Sequence, residues 1–144
     1  MVYTGYISLD TRGNTDVRDI TLECLGIVSS SGVLDGIITI FCTGSTGGVT
    51  TIEYEPNLVK DLRESLEVFS PSKKEYHHKK TWNDDNGAGH IRATIVGPSL
   101  SVPIVKGQLT LGAWQQIVFC DFDAVPRKRK LIAQVMGESV ASRE

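Results

Sequence analysis

Residues 99–122 read SLSVPIVKGQLTLGAWQQIVFCDF, and this stretch decides the fold class. Apolar and β-branched residues gather in short runs, 99–105, 108–111 and 114–122, broken at Lys106, Gly107 and Gly112. Short runs separated by glycine turns predict antiparallel strands rather than helix. Working outward, Val125 and Pro126 mark a further turn before a strand at 128–136, and 90–96 reads as a strand that stops at Gly97 and Pro98. The first half of the chain differs. Residues 2–10 open a strand with Tyr3 and Tyr6, and Arg12, Gly13 and Asn14 make a turn. Val17, Ile20, Cys24 and Val28 then recur at helical spacing behind the capping candidates Thr15 and Asp16, which predicts a helix near 16–29. Residues 36–42, GIITIFC, predict a strand buried on both faces. Pro56 heads an apolar stripe of Leu58, Leu62, Leu66 and Phe69, a helix over 56–69 that Pro71 stops. The expectation is an α+β fold, two early helices packed on a largely antiparallel sheet or sandwich.

A chain of 144 residues matches a single domain over 1–144, long enough to bury a core without staples. Its net charge of −2 and pI near 5.9 supply no field for nucleic acid or an anionic membrane. No apolar run approaches the ~20 residues of a membrane span. The start, MVYTGYISLD, lacks the basic and apolar regions of a signal peptide. Cys24, Cys42 and Cys120 are an odd, scattered set that reads as reduced, buried thiols, and a cytoplasmic setting is expected.

Chemistry gathers in segments that break these patterns. Thr43, Gly44, Ser45, Thr46, Gly47 and Gly48 lie between two strands, where glycines admit a ligand to the backbone and successive N–H groups can cradle an anion. No GK[ST] follows, so this is not a Walker loop, and a flexible turn is the plain alternative. The polar stretch 76–90, YHHKKTWNDDNGAGH, holds all three histidines, His77, His78 and His90, around Asp84, Asp85 and Asn86. Two imidazoles and a carboxylate, His78, His90 and Asp84, suit a divalent transition metal, whereas Asp84 and Asp85 suit Mg²⁺. A solvated loop accounts for the same residues. Arg127, Lys128, Arg129 and Lys130 form a basic run, which reads as a solvated face or as guanidinium for phosphate.

Tyr76, His77 and His78, the block from Trp82 to Ile91 (WNDDNGAGHI), GPSLSVP, LGAWQQI, and the closing Asp123, Pro126, Arg127, Arg129 and VMGE follow one another in the order of the YjbQ-like family, which this chain resembles from Tyr3 to Glu138. The resemblance implies a homotrimer of α+β subunits with a histidine-lined, metal-competent pocket near a subunit boundary. It singles out His78, Asp84, Asn86, His90, Ser99, Trp114 and Gln115 as the positions where members are most alike. Many relatives carry a histidine and two hydroxyl residues where this chain has Gly44, Ser45 and Thr46. A three-histidine site is therefore impossible in that arrangement, and a metal would need Asp84 or Asp85, Cys42, or a neighbouring subunit. The activity attached to the family is thiamine-phosphate synthesis, in which a pyrimidine-methyl pyrophosphate joins a thiazole phosphate and pyrophosphate leaves. On that reading Asp84 and Asp85 hold Mg²⁺. Phosphate is gripped by backbone at 44–48, by backbone at Gly97 and Ser99, and by Arg92 or Arg127. Trp114 then carries a flat ring. The alternatives are a metal-dependent hydrolase built on His78, His90 and an acid, and a non-catalytic trimer that binds a small phosphorylated metabolite.

Overall fold

The computed structural model describes residues 1–140; the last four residues of the expected 1–144 domain lie outside the described residues. In chain order the elements are β1 (Val2–Thr11), β2 (Asp16–Asp19), α1 (Thr21–Ser31), β3 (Val33–Cys42), β4 (Gly47–Ile52), α2 (Pro56–Phe69), α3 (Lys79–Trp82), α4 (Gly87–Val96), β5 (Ser99–Val105), β6 (Gln108–Leu109), β7 (Gln116–Asp121) and β8 (Arg127–Ser139). They form a five-stranded sheet of order β1-β8-β3-β5-β6 and a three-stranded sheet of order β2-β7-β4. Every pairing is antiparallel. This is the α+β fold that the runs of short strands predict.

Strand β7 joins the two cores. Its alternate residues Ile117 and Phe119 enter one cluster with Val49, with Ile38, Ile40 and Cys42 of β3, with Leu131, Ala133 and Val135 of β8, and with Ile20, Cys24 and Val28 on and just before α1. Val118 and Cys120, one residue out of phase, face Val59 and Leu66 of α2 and Ala93 of α4. Side chains on a strand point alternately to its two faces, so a strand loaded on both needs an unbroken apolar run. IVFC supplies one. The sequence expectation assigned that role to 36–42, and it is corrected here: β3 alternates, with Ile38 and Ile40 fully buried while Ile37 and Phe41 stand 37% and 41% exposed.

Two further expectations change. Residues 16–19 are strand, not the start of a helix, because Val17 faces the α2 cluster whereas Ile20, Cys24 and Val28 face the other core. The helix begins at Thr21, whose N–H donates to the Asp19 carboxylate. Residues 90–96 are helix, not strand, and this helix starts inside the stretch expected to be loop. Ile91, Ile95 and Val96 favour strands, but the buried stripe of Ala88, Arg92 and Ala93 follows helical spacing, and tertiary packing overrides propensity. Gly89 permits that packing: any Cβ there would collide with the Phe122 carbonyl. Helix α2 runs as expected, capped by the Glu55 carboxylate on the N–H groups of Asn57 and Leu58.

Candidate functional site

Three segments meet at one edge of the fold. Residues 43–46 link β3 to β4, residues 78–90 carry α3 and the start of α4, and 121–129 lead from β7 into β8. Between them lies a cleft of about 550 Å³ lined by Ser45, Thr46, His78, Trp82, Asp84, Asn86, His90, Asp123, Arg127, Lys128 and Arg129. That volume suits a small-molecule ligand.

His78 and His90, twelve positions apart, come together with ring centroids 4.6 Å apart and planes tilted by 57°. His90 Nδ1 lies 3.0 Å from the Ser45 carbonyl, which can only accept, so Nδ1 carries a proton. His78 Nδ1 is buried and lies 3.1 Å from Asp84 Oδ1, off the line of a hydrogen bond. The carboxylate favours the tautomer with the proton on that nitrogen. His77 is exposed and stands outside the cleft.

The expected metal sets do not close. Asp84 occupies the Nδ1 side of His78, and the Nδ1 of His90 is committed to Ser45, so the carboxylate and the two Nε2 atoms do not face one point. Asp85 is turned to Lys79 at 3.4 Å and its side chain is 81% exposed, so the Asp84 and Asp85 pair is not assembled for Mg²⁺. Among the described residues no group of three or more His, Cys, Asp or Glu side chains is placed to hold a metal ion. Cys42 is buried in the main core, where desolvation pushes its thiol pKa upward.

A buried polar frame supports the cleft. Asp121 is fully buried and takes Arg129 through two bonds, Nε to Oδ2 at 2.7 Å and Nη2 to Oδ1 at 2.8 Å, while Thr11 donates its hydroxyl to the same carboxylate. Thr46 accepts from Arg129 Nη2 and donates to Asp123 Oδ2, which also faces Arg127 Nε at 3.2 Å. Burial alone would raise both carboxylates. Hydrogen bonds outweigh it and hold both below their ordinary value: Arg129, Thr11 and the Asp123 N–H for Asp121, and the Val125 N–H, Thr46 and Arg127 for Asp123. Asn86 is spent on this frame, with Oδ1 taking the Ala124 N–H at 2.8 Å and Nδ2 reaching Asp123 Oδ2 at 3.5 Å.

Several expected site residues lie elsewhere. Arg92 is 6% exposed, and its guanidinium donates to the Ser70 carbonyl, Thr15 and Glu67; it is a structural tie, not a phosphate ligand. The Gly97 N–H caps α4 on the Ala93 carbonyl, Pro98 has none, and Ser99 pairs with Phe41 in the ladder, so residues 97–99 form no anion cradle. Trp114 and Gln115 sit beyond the other end of β7, about 20 Å along the strand from Asp121. Trp114 is 76% exposed there, and Gln115 binds Thr51. In their place the cleft uses Trp82, 72% exposed on its rim, together with Lys128, Arg129 and Asp123. A charge inside IVFCDF was the available signal, because a carboxylate at the end of a doubly buried strand demands a cationic partner.

The comparisons with known proteins agree with this architecture. A family model described as UPF0047 protein YjbQ-like matches residues 5–138. A UPF0047 protein of Methanothermobacter thermautotrophicus is 35% identical over 137 residues, which is 95% of this chain and 94% of that protein. The UPF0047 protein YugU of Bacillus subtilis is 31% identical over 132 residues, 91% of this chain and 97% of its own. Among solved structures, a YbjQ-like protein of Sulfolobus solfataricus superposes with a TM-score of 0.90 at 30% identity, covering 96% of this chain and 99% of that one. A hypothetical protein of Aeropyrum pernix gives 0.87 at 30% identity, over 94% of this chain and 98% of that one. The family resemblance carried by WNDDNGAGHI and LGAWQQI thus extends over the whole fold: this chain belongs to the YjbQ-like UPF0047 family.

Proposed function

We propose that the cleft binds a small phosphorylated substrate and that the chain acts as a secondary thiamine-phosphate synthase, joining a pyrimidine-methyl pyrophosphate to a thiazole phosphate with release of pyrophosphate. The observation that carries this reading is the convergence of Arg127, Lys128 and Arg129 with the His78 and His90 pair around one cleft of ligand size. When pyrophosphate departs, negative charge grows on its bridging oxygen, and cationic donors already in place stabilise that charge. The two Nε2 atoms can accept protons from the aminopyrimidine or the phosphates, and Trp82 offers a flat face at the rim. No step is routed through a metal, because the side chains present do not converge as ligands. For the same reason the metal-dependent hydrolase is the weaker reading.

The homotrimer belongs to this proposal. The outward face of the five-stranded sheet supports it: Val2, Tyr6, Ile37, Phe41 and Met136 are all more than a third exposed, side by side in the ladder. Apolar faces of this kind mark interfaces. Trp114 could then reach a cleft only from a neighbouring copy. A cytoplasmic setting goes with the three free, buried thiols; no helix of the described residues is long and apolar enough to cross a membrane. The test is product formation from the two substrates. Thiamine phosphate formed by the wild type and lost in a His78→Ala, His90→Ala double variant is the expected result. Absence of product at substrate saturation sinks the synthase and leaves a ligand-binding trimer.

A further inference from the structure

Arg129 is held by three side-chain hydrogen bonds, yet one of its nitrogens is unused. Nε and Nη2 are fixed by Asp121 and Thr46 at 2.7 to 2.8 Å. Among the described residues nothing accepts from Nη1, and it is not a buried orphan, since His78 Nδ1 alone falls in that class. Nη1 therefore meets solvent. The reason lies in Gly44: a Cβ built on that residue would come 3.0 Å from Arg129 Nη1, so the absent side chain is what uncovers the guanidinium. The φ of Gly44 lies outside the left-handed region, so its backbone does not demand glycine. The backbone N–H groups of Ser45 and Thr46, next in sequence, also have no acceptor among the described residues. Their loop is pinned at both ends of this pair, by the Ser45 carbonyl on His90 and by Thr46 between Arg129 and Asp123.

We propose that Arg129 Nη1 and the unclaimed N–H groups of Ser45 and Thr46 form the seat of the substrate's phosphoryl group, with Asp121 as the positioning residue that fixes the guanidinium and Gly44 as the residue that keeps the seat open. This rests on the reading of the cleft as a site for phosphorylated substrate. Guanidinium and backbone N–H groups are the donors that phosphate geometry favours, and a fork held rigid before binding loses little entropy on capture. Because Asp121 already neutralises one unit of charge, selectivity comes from directed donors rather than from bulk attraction. Ser45, Thr46 and Arg129 line the same cleft as His78 and His90, so a phosphoryl group in the seat shares that cleft with the histidine pair.

The test uses the full chain and inorganic pyrophosphate as probe, with affinity read by calorimetry and stability by thermal unfolding. The expected result is that the wild type binds pyrophosphate and that Gly44→Val, which presses a side chain against Arg129 Nη1 and fills the seat while Asp121, Thr46 and Arg129 are all retained, weakens it about tenfold or more, as does Arg129→Lys, for the loss of a charge-assisted bond. Gly44→Val should leave the melting temperature within a few degrees of wild type, so a folding defect cannot mimic the effect. Wild-type binding with Gly44→Val and Arg129→Lys both at wild-type affinity overturns the seat while the phosphorylated-substrate reading stands. A wild type that binds no pyrophosphate overturns both.

Discussion

Arg92 and Arg129 are two largely buried arginines, each held by a carboxylate and a threonine, and they serve opposite ends. Arg92 spends Nε, Nη1 and Nη2 on Ser70, Thr15 and Glu67, which ties α4 to α2 and to the turn before β2. Arg129 spends only Nε and Nη2. Exposure does not separate them, with side chains 7% and 11% accessible. What separates them is a nitrogen without a protein acceptor and a glycine that leaves room beside it. A buried arginine is a fastening when each of its three nitrogens has a protein acceptor, and a candidate ligand when one nitrogen has none.

Breaking the closed arginine should give the largest effect. Arg92→Ala strips the donors from two acceptors in a buried setting and leaves Glu67 without its partner, so urea unfolding should show a loss of about 3 kcal/mol. Pyrophosphate affinity of the folded fraction should not change. If stability holds and affinity falls, the contrast between the two arginines is inverted.

At the open arginine's side of the molecule, the expected effect is on turnover. His90→Ala removes one Nε2 and the anchor of the Ser45 carbonyl, and should lower thiamine-phosphate formation by about a hundredfold, the usual scale for a proton-transfer group. The fold should survive, since His90 is only half-buried. Turnover unchanged in His90→Ala would mean the histidine pair carries no chemistry.

Acid should also act first on the closed side. The Arg92 guanidinium, then the Ser72 N–H, hold the Glu67 carboxyl down to about 2, from an ordinary value of 4.5. A carboxylate depressed by folding stabilises the native state above its unfolded value, and that contribution disappears as pH falls through the folded one. Stability should therefore decline between about pH 4.5 and 2, and Glu67→Gln should flatten the melting temperature over that window. Equal slopes in wild type and variant would remove Glu67 from the account. Asp121 and Asp123, also held low, add to the same acid loss from their ordinary 3.8 downward.

The smallest effect belongs outside both regions. Lys79 and Asp85 face each other at 3.4 Å with side chains 50% and 81% exposed, so Lys79→Ala should change neither turnover nor stability by more than about 0.5 kcal/mol. A large loss there would move the site toward Asp85.

Strand β5 and helix α2 were legible in the sequence because turn glycines and an apolar helical stripe act locally: 99–105 and 56–69 coincide with them. The histidine pair was legible as a cluster in one loop. Helix α4 was not, because β-branched Ile91, Ile95 and Val96 argue for strand, and only the packing of Gly89 on Phe122 and of Arg92 under α2 makes the helix pay. Nor did the pattern separate Arg92 from Arg129, since the acceptors of each come from positions up to 83 residues away. Trp114 looked like a ring platform by residue type, but its register places it at the far end of β7, and Trp82 stands at the cleft instead.

A crystal of the wild-type chain soaked with pyrophosphate would locate the phosphate directly. Phosphate density is expected against Arg129 Nη1 and the 44–46 loop, in the cleft that His78 and His90 also line. Density bound instead to Lys73, Lys74 and Lys79 in the hollow beside Tyr76, with the seat at Gly44 filled only by solvent, would contradict it.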